Sequence, residues 1–198
     1  MIMLNFLDWG DKMPDTTGDN SVIEFSDIEA DADEIGSYRQ YVKRIAAAAD
    51  GNVILNRSPE HAAVIVEQVF LSSEHEVDIL TSELNESVYG TDHVTRAAIE
   101  FLTRHPNAHV RVLSEKPIAD QHIFLAALSN AGVGNRLKLS VVPKDEQQSY
   151  KYNFAVGDGY HFRFEKDRCF FDAVVQFGAP SVGAKLQSIF ERLQQRAS

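Results

Sequence analysis

Residues 149–159 read SYKYNFAVGDG, and this stretch is the most informative part of the sequence. Its apolar centre predicts a strand over residues 152–156, and the Gly-Asp-Gly that follows predicts a tight turn. Two more strand patterns come after the turn, at residues 160–164 and 169–176. The C-terminal third is therefore predicted to be a meander of neighbouring strands. Pro180 then begins a last helix, because proline is favoured in the first turn.

The preceding part of the chain alternates between short apolar runs and amphipathic patterns. The predicted strands are 53–55, 77–81, 109–113 and 137–142, and the predicted helices are 59–71, 91–104 and 119–131. Ser58 followed by Pro59 is a strong helix start, with a capping side chain first and proline next. The alternation predicts an α/β fold with a mixed, mostly parallel sheet and helices on both faces.

Acidic residues are concentrated at the N-terminus. The net charge is −10, and residues 1–35 contain ten acidic residues and one lysine, so they carry −9 of it. We expect residues 1–36 to form an acidic arm, partly disordered or bound to a partner, with a short strand at 22–25. Residues 37–198 are predicted to form one domain, with an N-terminal helix at 37–50, capped by Ser37, and a core at 52–198.

Composition also narrows the class of protein. No apolar run approaches the ~18 residues that a membrane span needs, so we expect no membrane partner. The single cysteine, Cys169, and the absence of a secretory signal favour a cytoplasmic location. The seven histidines have no zinc-like spacing with cysteines or acids, so neither a metal nor a cofactor is expected.

The stretch at 149–159 resembles the phospholipase D superfamily motif His-x-Lys-x4-Asp. Aligning Asp158 with the motif aspartate places Asn153 at the lysine position and Lys151 at the histidine position. The alternative alignment, with Lys151 as the motif lysine, loses both the histidine and the aspartate. The resemblance covers roughly residues 52–198 and implies the fold of one phospholipase D-like half-unit.

The departures from this motif indicate the function. In active members of the superfamily the histidine is the nucleophile and the lysine binds phosphate oxygens, and two motif copies are needed. Because this chain has one copy without the histidine, the resemblance implies a non-catalytic interaction module. We expect a subunit of a bacterial multi-protein assembly such as an antiviral defence system. The alternatives are a homodimeric phosphodiesterase or nuclease that uses Lys151, Asn153 and Asp158, and a nucleic-acid-binding module without cleavage.

Aromatic residues are dense around the motif. Core packing within the meander is the simpler interpretation. The alternative is a protein interface, because two half-units meet near this motif in active members of the superfamily. The interface candidates are Tyr150, Tyr152, Phe162 and Phe164. The expected partner is another protein or a second copy of this chain. Nucleic acid is possible but disfavoured by the acidic arm.

Overall fold

The structure is a computed structural model that describes residues 32–168 and 170–197. The arm up to residue 31, including the predicted strand at 22–25, and Cys169 lie outside this range. The helices are α1 (Ala32–Ala48), α2 (Pro59–Ser72), α3 (Glu86–Tyr89), α4 (Asp92–Arg104), α5 (Ile123–Asn130), α6 (Lys144–Gln147) and α7 (Pro180–Arg196). The strands are β1 (Val53–Asn56), β2 (Glu76–Thr81), β3 (His109–Ser114), β4 (Leu137–Val141), β5 (Asn153–Gly157), β6 (His161–Glu165) and β7 (Ala173–Phe177).

Within residues 32–168 and 170–197, seven strands form one mixed sheet in the order β1-β7-β6-β5-β2-β3-β4. The α/β class is confirmed, but the prediction that the sheet is mostly parallel is wrong. Of the six pairings among these described strands, β2–β3 and β3–β4 are parallel and the other four are antiparallel. The helix-connected strands β1 to β4 do run in one direction, as the alternation requires. However, the meander β5–β6–β7 lies between β1 and β2, and its strands supply the antiparallel contacts.

Helices cover both faces of the sheet, as predicted. On one face, α1, α2, α4 and α5 pack on the larger core, which contains fully buried Phe70, Phe101 and Phe124. On the other face, α7 packs on a smaller core through Leu186, Phe190 and neighbouring apolar residues. Because side chains alternate along a strand, each central strand contributes to both cores.

Several predicted helix boundaries are confirmed by their capping contacts. The Ser58 hydroxyl accepts a hydrogen bond from the His61 backbone N–H at 3.2 Å, and α2 begins at Pro59. Thr91, the first residue of the predicted helix 91–104, caps α4 by accepting a hydrogen bond from the Val94 N–H at 3.4 Å.

Two predicted helix starts are wrong. Helix α1 begins at Ala32 instead of Ser37, so residues 32–36 of the predicted arm are helical. Helix α5 begins at Ile123 instead of residue 119, because the His122 ring accepts from the Phe124 N–H at 3.2 Å and caps the helix there. Among the described residues, no helix is both long and apolar enough to span a membrane.

Candidate functional site

Asn153, at the motif lysine position, lies at the start of β5 and is fixed by two contacts. Its side-chain oxygen accepts a hydrogen bond from the Ser82 backbone N–H at 3.0 Å. Its amide nitrogen donates to Glu165 Oε2 at 2.7 Å. Asn153 therefore connects the loop after β2 to strand β6. It is held by protein groups and carries no charge with which to bind a phosphate.

A buried ion pair lies beside Asn153, between Arg163 and Glu165 on strand β6. These two residues are only 5% and 6% exposed, and the Arg163 Nη1 donates to Glu165 Oε1. Arg163 also donates to Asn56 Oδ1 at 3.3 Å and to the Phe171 carbonyl at 3.1 Å. This arrangement satisfies a charge that would otherwise be costly to bury. It joins β1, β6 and the β6–β7 loop.

These groups border a cavity of about 170 Å³ at the carboxyl end of β2. The cavity is lined by Thr81, Ser82, Glu83, Asn85, Val88, Tyr89, Asn153, Phe154, Arg163, Glu165, Arg168, Phe170 and Phe171. Burial raises the pKa of Tyr89 well above its ordinary value, so its hydroxyl stays neutral. Phe170 is 63% exposed.

The charges of the cavity are balanced. Two guanidinium groups, Arg163 and Arg168, face two carboxylates, Glu83 and Glu165. Arg163 is paired with Glu165, and Arg168 forms an ion pair with Glu115 and donates to the Gln147 carbonyl at 3.3 Å. A phosphate needs excess positive charge and free donors, as in a phosphate clamp. This cavity is electrically neutral, so it does not favour a phosphate.

The structure does not bring the three motif positions together. Lys151 precedes β5 and is exposed. Asp158 follows the other end of β5, about 16 Å from Asn153 at ~3.3 Å per residue. His161 pairs with Gly157 at that same far end and is buried, so it does not reach the cavity. Lys151 and Asp158 therefore lie beyond opposite ends of β5.

Asp158 has a structural role in this fold. Its carboxylate accepts hydrogen bonds from the backbone N–H groups of Glu74, His75 and Glu76 at 2.7, 3.0 and 2.8 Å. These bonds hold the loop between α2 and β2. Asp158 also has φ 52° and is followed by Gly159 with φ 62°. Positive φ at both residues is typical of the tight Asp-Gly turn that joins two antiparallel strands.

The aromatic interface candidates pack mainly inside the domain. Phe162 is 1% exposed and lies in the core beneath α7, so its assignment to an interface is wrong. Tyr150, Tyr152 and Phe164 are partly buried against the same core. Tyr152 lies 5.6 Å from the Tyr150 ring and 5.2 Å from the Phe164 ring, between centroids. Arg192 of α7 donates to the Tyr150 hydroxyl at 2.5 Å.

A cluster of acidic residues, Glu76, Asp78 and Glu191, has a geometry that could hold a metal ion, but Arg111 lies among them. Arg111 bonds Asp78 through two nitrogens at 2.6 and 2.7 Å, Glu76 at 2.9 Å and Glu191 at 2.7 Å. Burial raises the pKa of Asp78 to about 6, although the hydrogen bonds from Arg111 lower it. The guanidinium already supplies the positive charge, so the cluster is a structural ion-pair network.

Sequence reasoning missed Arg163 and Glu165 as members of the candidate site. Their signal is present in the pattern of β6, where charged residues alternate with Phe162 and Phe164. Period-two alternation places the two charges on one face. Because helices cover that face, a charge there must be paired. Asn56 and Tyr89 have no comparable signal, since they come from distant parts of the chain.

Comparison with solved structures defines the class of fold. The crystal structure of a phospholipase D family member, Nuc from Salmonella typhimurium, matches with a TM-score of 0.52 at 14% identity, over 75% of this chain and 97% of that chain. TrmBL2, an archaeal chromatin protein whose structure shows a novel mode of DNA binding, matches with a TM-score of 0.53 at 12% identity, over 82% of this chain and 60% of that chain. The fold is therefore phospholipase D-like.

The sequence also matches one family model. The match extends over residues 58–198 and is to DUF7931, described as a domain of unknown function. The chain belongs to this family. A search of curated proteins finds no significant match.

Proposed function

We propose that this chain is a non-catalytic phospholipase D-like module that acts by binding a protein partner or a second copy of itself. The observation that supports the proposal most is the missing charge of Asn153 and its hydrogen bonds to other protein groups. At the motif lysine position this residue is uncharged and bonded to Ser82 and Glu165. The neighbouring guanidinium groups are already paired with carboxylates.

The chemistry of phosphodiester cleavage explains why this arrangement argues against an enzyme. Cleavage by the motif needs a neutral histidine nucleophile and a cation aimed at the phosphate oxygens. Lys151 is exposed and normally protonated, so it is a poor nucleophile. Asp158 is occupied by three backbone N–H groups at the far end of β5. We therefore assign neither part of the reaction to Lys151, Asn153 or Asp158.

A cleavage assay tests the proposal. Purified protein is incubated with bis(p-nitrophenyl) phosphate, single- and double-stranded DNA, and RNA, with and without divalent metal. Lys151→Ala and Asn153→Ala are the matched variants. We expect no turnover above that of a mock purification. Turnover that disappears in either variant would establish a homodimeric or altered phosphodiesterase and would overturn the proposal.

The biological setting belongs to the same proposal. We propose a cytoplasmic subunit of a bacterial multi-protein assembly, such as an antiviral defence system. The support is the resemblance to small single-unit proteins of that kind, together with the acidic arm as a region for partner contact. Affinity purification from the native host, with full-length and Δ1–31 protein compared, tests it. A partner recovered in stoichiometric amount supports the assembly, and recovery of the chain alone contradicts it.

A nucleic-acid-binding module is the second candidate. The observation in its favour is the fold similarity to TrmBL2, a DNA-binding chromatin protein. The acidic arm opposes binding of a polyanion, so the candidate predicts stronger binding after deletion of residues 1–31. It also predicts affinity that falls steeply with salt. A fluorescence-anisotropy titration of both proteins at two salt concentrations decides this, and no binding by the deleted form rejects the candidate.

A further inference from the structure

A surface with one charged residue lies at the β4 edge of the sheet, and α5 belongs to the segment that connects β3 to β4. Residues 121–135 contain no aspartate, glutamate, lysine or arginine, in a chain whose net charge is −10. Ile123 on α5 is 49% exposed and Leu139 on β4 is 39% exposed. We call the outer edge of β4 the β4 edge surface. Lys138 is its one charged residue, so two copies can approach with few like charges in contact.

Strand β4 ends the sheet on this side. It pairs with β3, and among residues 32–168 and 170–197 no strand pairs with its other side. An edge strand presents unpaired N–H and C=O groups to another strand. Leu137 and Leu139 lie opposite Val110 and Val112 of β3, which point into the core beneath α2, α4 and α5. The apolar side chains of β4 therefore lie on the same face as α5.

We propose that a second copy of this chain pairs with β4 in an antiparallel, two-fold arrangement centred on Leu139. In this register, Leu139 lies opposite Leu139 of the other copy, and Leu137 lies opposite Val141. Lys138 lies opposite Ser140, so no like charges are in direct contact. The two seven-stranded sheets become one continuous sheet, and both α5 helices lie on its same face. This inference rests on the proposed binding function and names its surface.

Other registers are less favourable. Centring the pair on Lys138 places two ammonium groups opposite each other, which is destabilising. Centring it on Ser140 moves Lys138 opposite Val142 and removes the contact between the leucines. A two-fold interface must be self-complementary, because each residue of one copy meets its counterpart in reverse order. The sequence LKLSV meets this condition about its central leucine.

Disulfide formation tests the register. All variants carry Cys169→Ser. Opposed Cα atoms in an antiparallel pair lie about 4.5–5.5 Å apart, within the usual range for a disulfide. Leu139→Cys is therefore expected to form a covalent dimer on mild oxidation. Val53→Cys is the matched control, because Val53 is 47% exposed on the opposite edge strand, β1. Equal cross-linking of both variants, or none at Leu139→Cys, overturns the register.

Light scattering after size exclusion tests the interface in the full chain. We expect the wild type and Val53→Asp to be dimers, and Leu139→Asp to be a monomer with unchanged circular dichroism. A monomeric wild type overturns the inference. A wild type that dimerises only after deletion of residues 1–31 also overturns the inference, because the arm would then be what covers β4 in the full chain. A dimer that survives Leu139→Asp overturns this surface but preserves the proposed binding function, which the cleavage assay tests separately.

Discussion

Replacing Asp158 by alanine is expected to destabilise the domain without removing any activity. The change deletes three hydrogen bonds from backbone N–H groups to a carboxylate, at 2.7, 3.0 and 2.8 Å. A hydrogen bond to a charged group contributes about 1.5–3 kcal/mol, and exposed ones contribute less because water replaces the lost partner. Only the bond from Glu76 is partly buried. We therefore expect a loss of about 2–3 kcal/mol in total, because two of the bonds are exposed.

Thermal and urea unfolding measure this effect. For a domain of this size, the loss corresponds to a fall in Tm of about 5–10 °C. Asp158→Asn should fall between alanine and wild type, because one side-chain oxygen still accepts from His75 and Glu76. Asp120→Ala, an exposed aspartate, is the control and should change the free energy of unfolding by less than about 0.5 kcal/mol. Wild-type stability of Asp158→Ala would refute the structural role assigned to this residue.

Further predictions concern packing and buried charge. Gly183→Ala should lower the free energy of unfolding, because a Cβ there would lie 2.3 Å from the Gly159 carbonyl oxygen. Gly36→Ala meets nothing within 4 Å and should stabilise α1 by about 0.5–1 kcal/mol. A more stable Gly183→Ala or a less stable Gly36→Ala in urea unfolding would contradict the corresponding prediction. Arg111→Met should cost about 3–5 kcal/mol, since it leaves Asp78 buried and unpaired. At neutral pH, Asp78→Asn should lower the free energy of unfolding by less than Arg111→Met does. Equal losses in the two variants would reject this explanation. Because burial raises the pKa of Asp78 from 3.8 to about 6, the folded state binds the proton more tightly than the unfolded state. The contribution of Asp78 is therefore present below about pH 3.8 and is lost as pH rises through about 6. Unfolding titrations of wild type and Asp78→Asn should differ in slope across this interval, and parallel curves would contradict the prediction.

Local signals predicted the elements of the fold better than their arrangement. Ser58-Pro59 and Pro180 begin α2 and α7 as predicted, because capping and proline geometry depend on neighbouring residues alone. The order of the strands depends on contacts between distant segments. Insertion of the meander between β1 and β2 places β5 against β2, and nothing in the local pattern of residues 153–157 indicates this. For this reason the sequence predicted more parallel strand pairings than the sheet contains.

The candidate site was predicted less completely than the fold. The motif alignment singled out Asn153, and the structure places this residue in the lining of the cavity. The same alignment grouped Asp158 with it, although the two are five positions apart and Asp158 lies beyond the far end of β5. The partners of Asn153 come from β2 and β6, and these contacts exist only after the sheet has formed. A prediction from spacing alone could not supply them.

A titration with a phosphate analogue tests the central claim, that this site cannot bind a phosphate. Protein labelled with ¹⁵N is titrated with tungstate, and the side-chain signals of Asn153 and Arg163 are followed by NMR. Because Asn153 is neutral and Arg163 is paired with Glu165, we predict no saturable shift in either signal. Saturable shifts in both, abolished by Arg163→Met, would show a working phosphate site and would contradict the account.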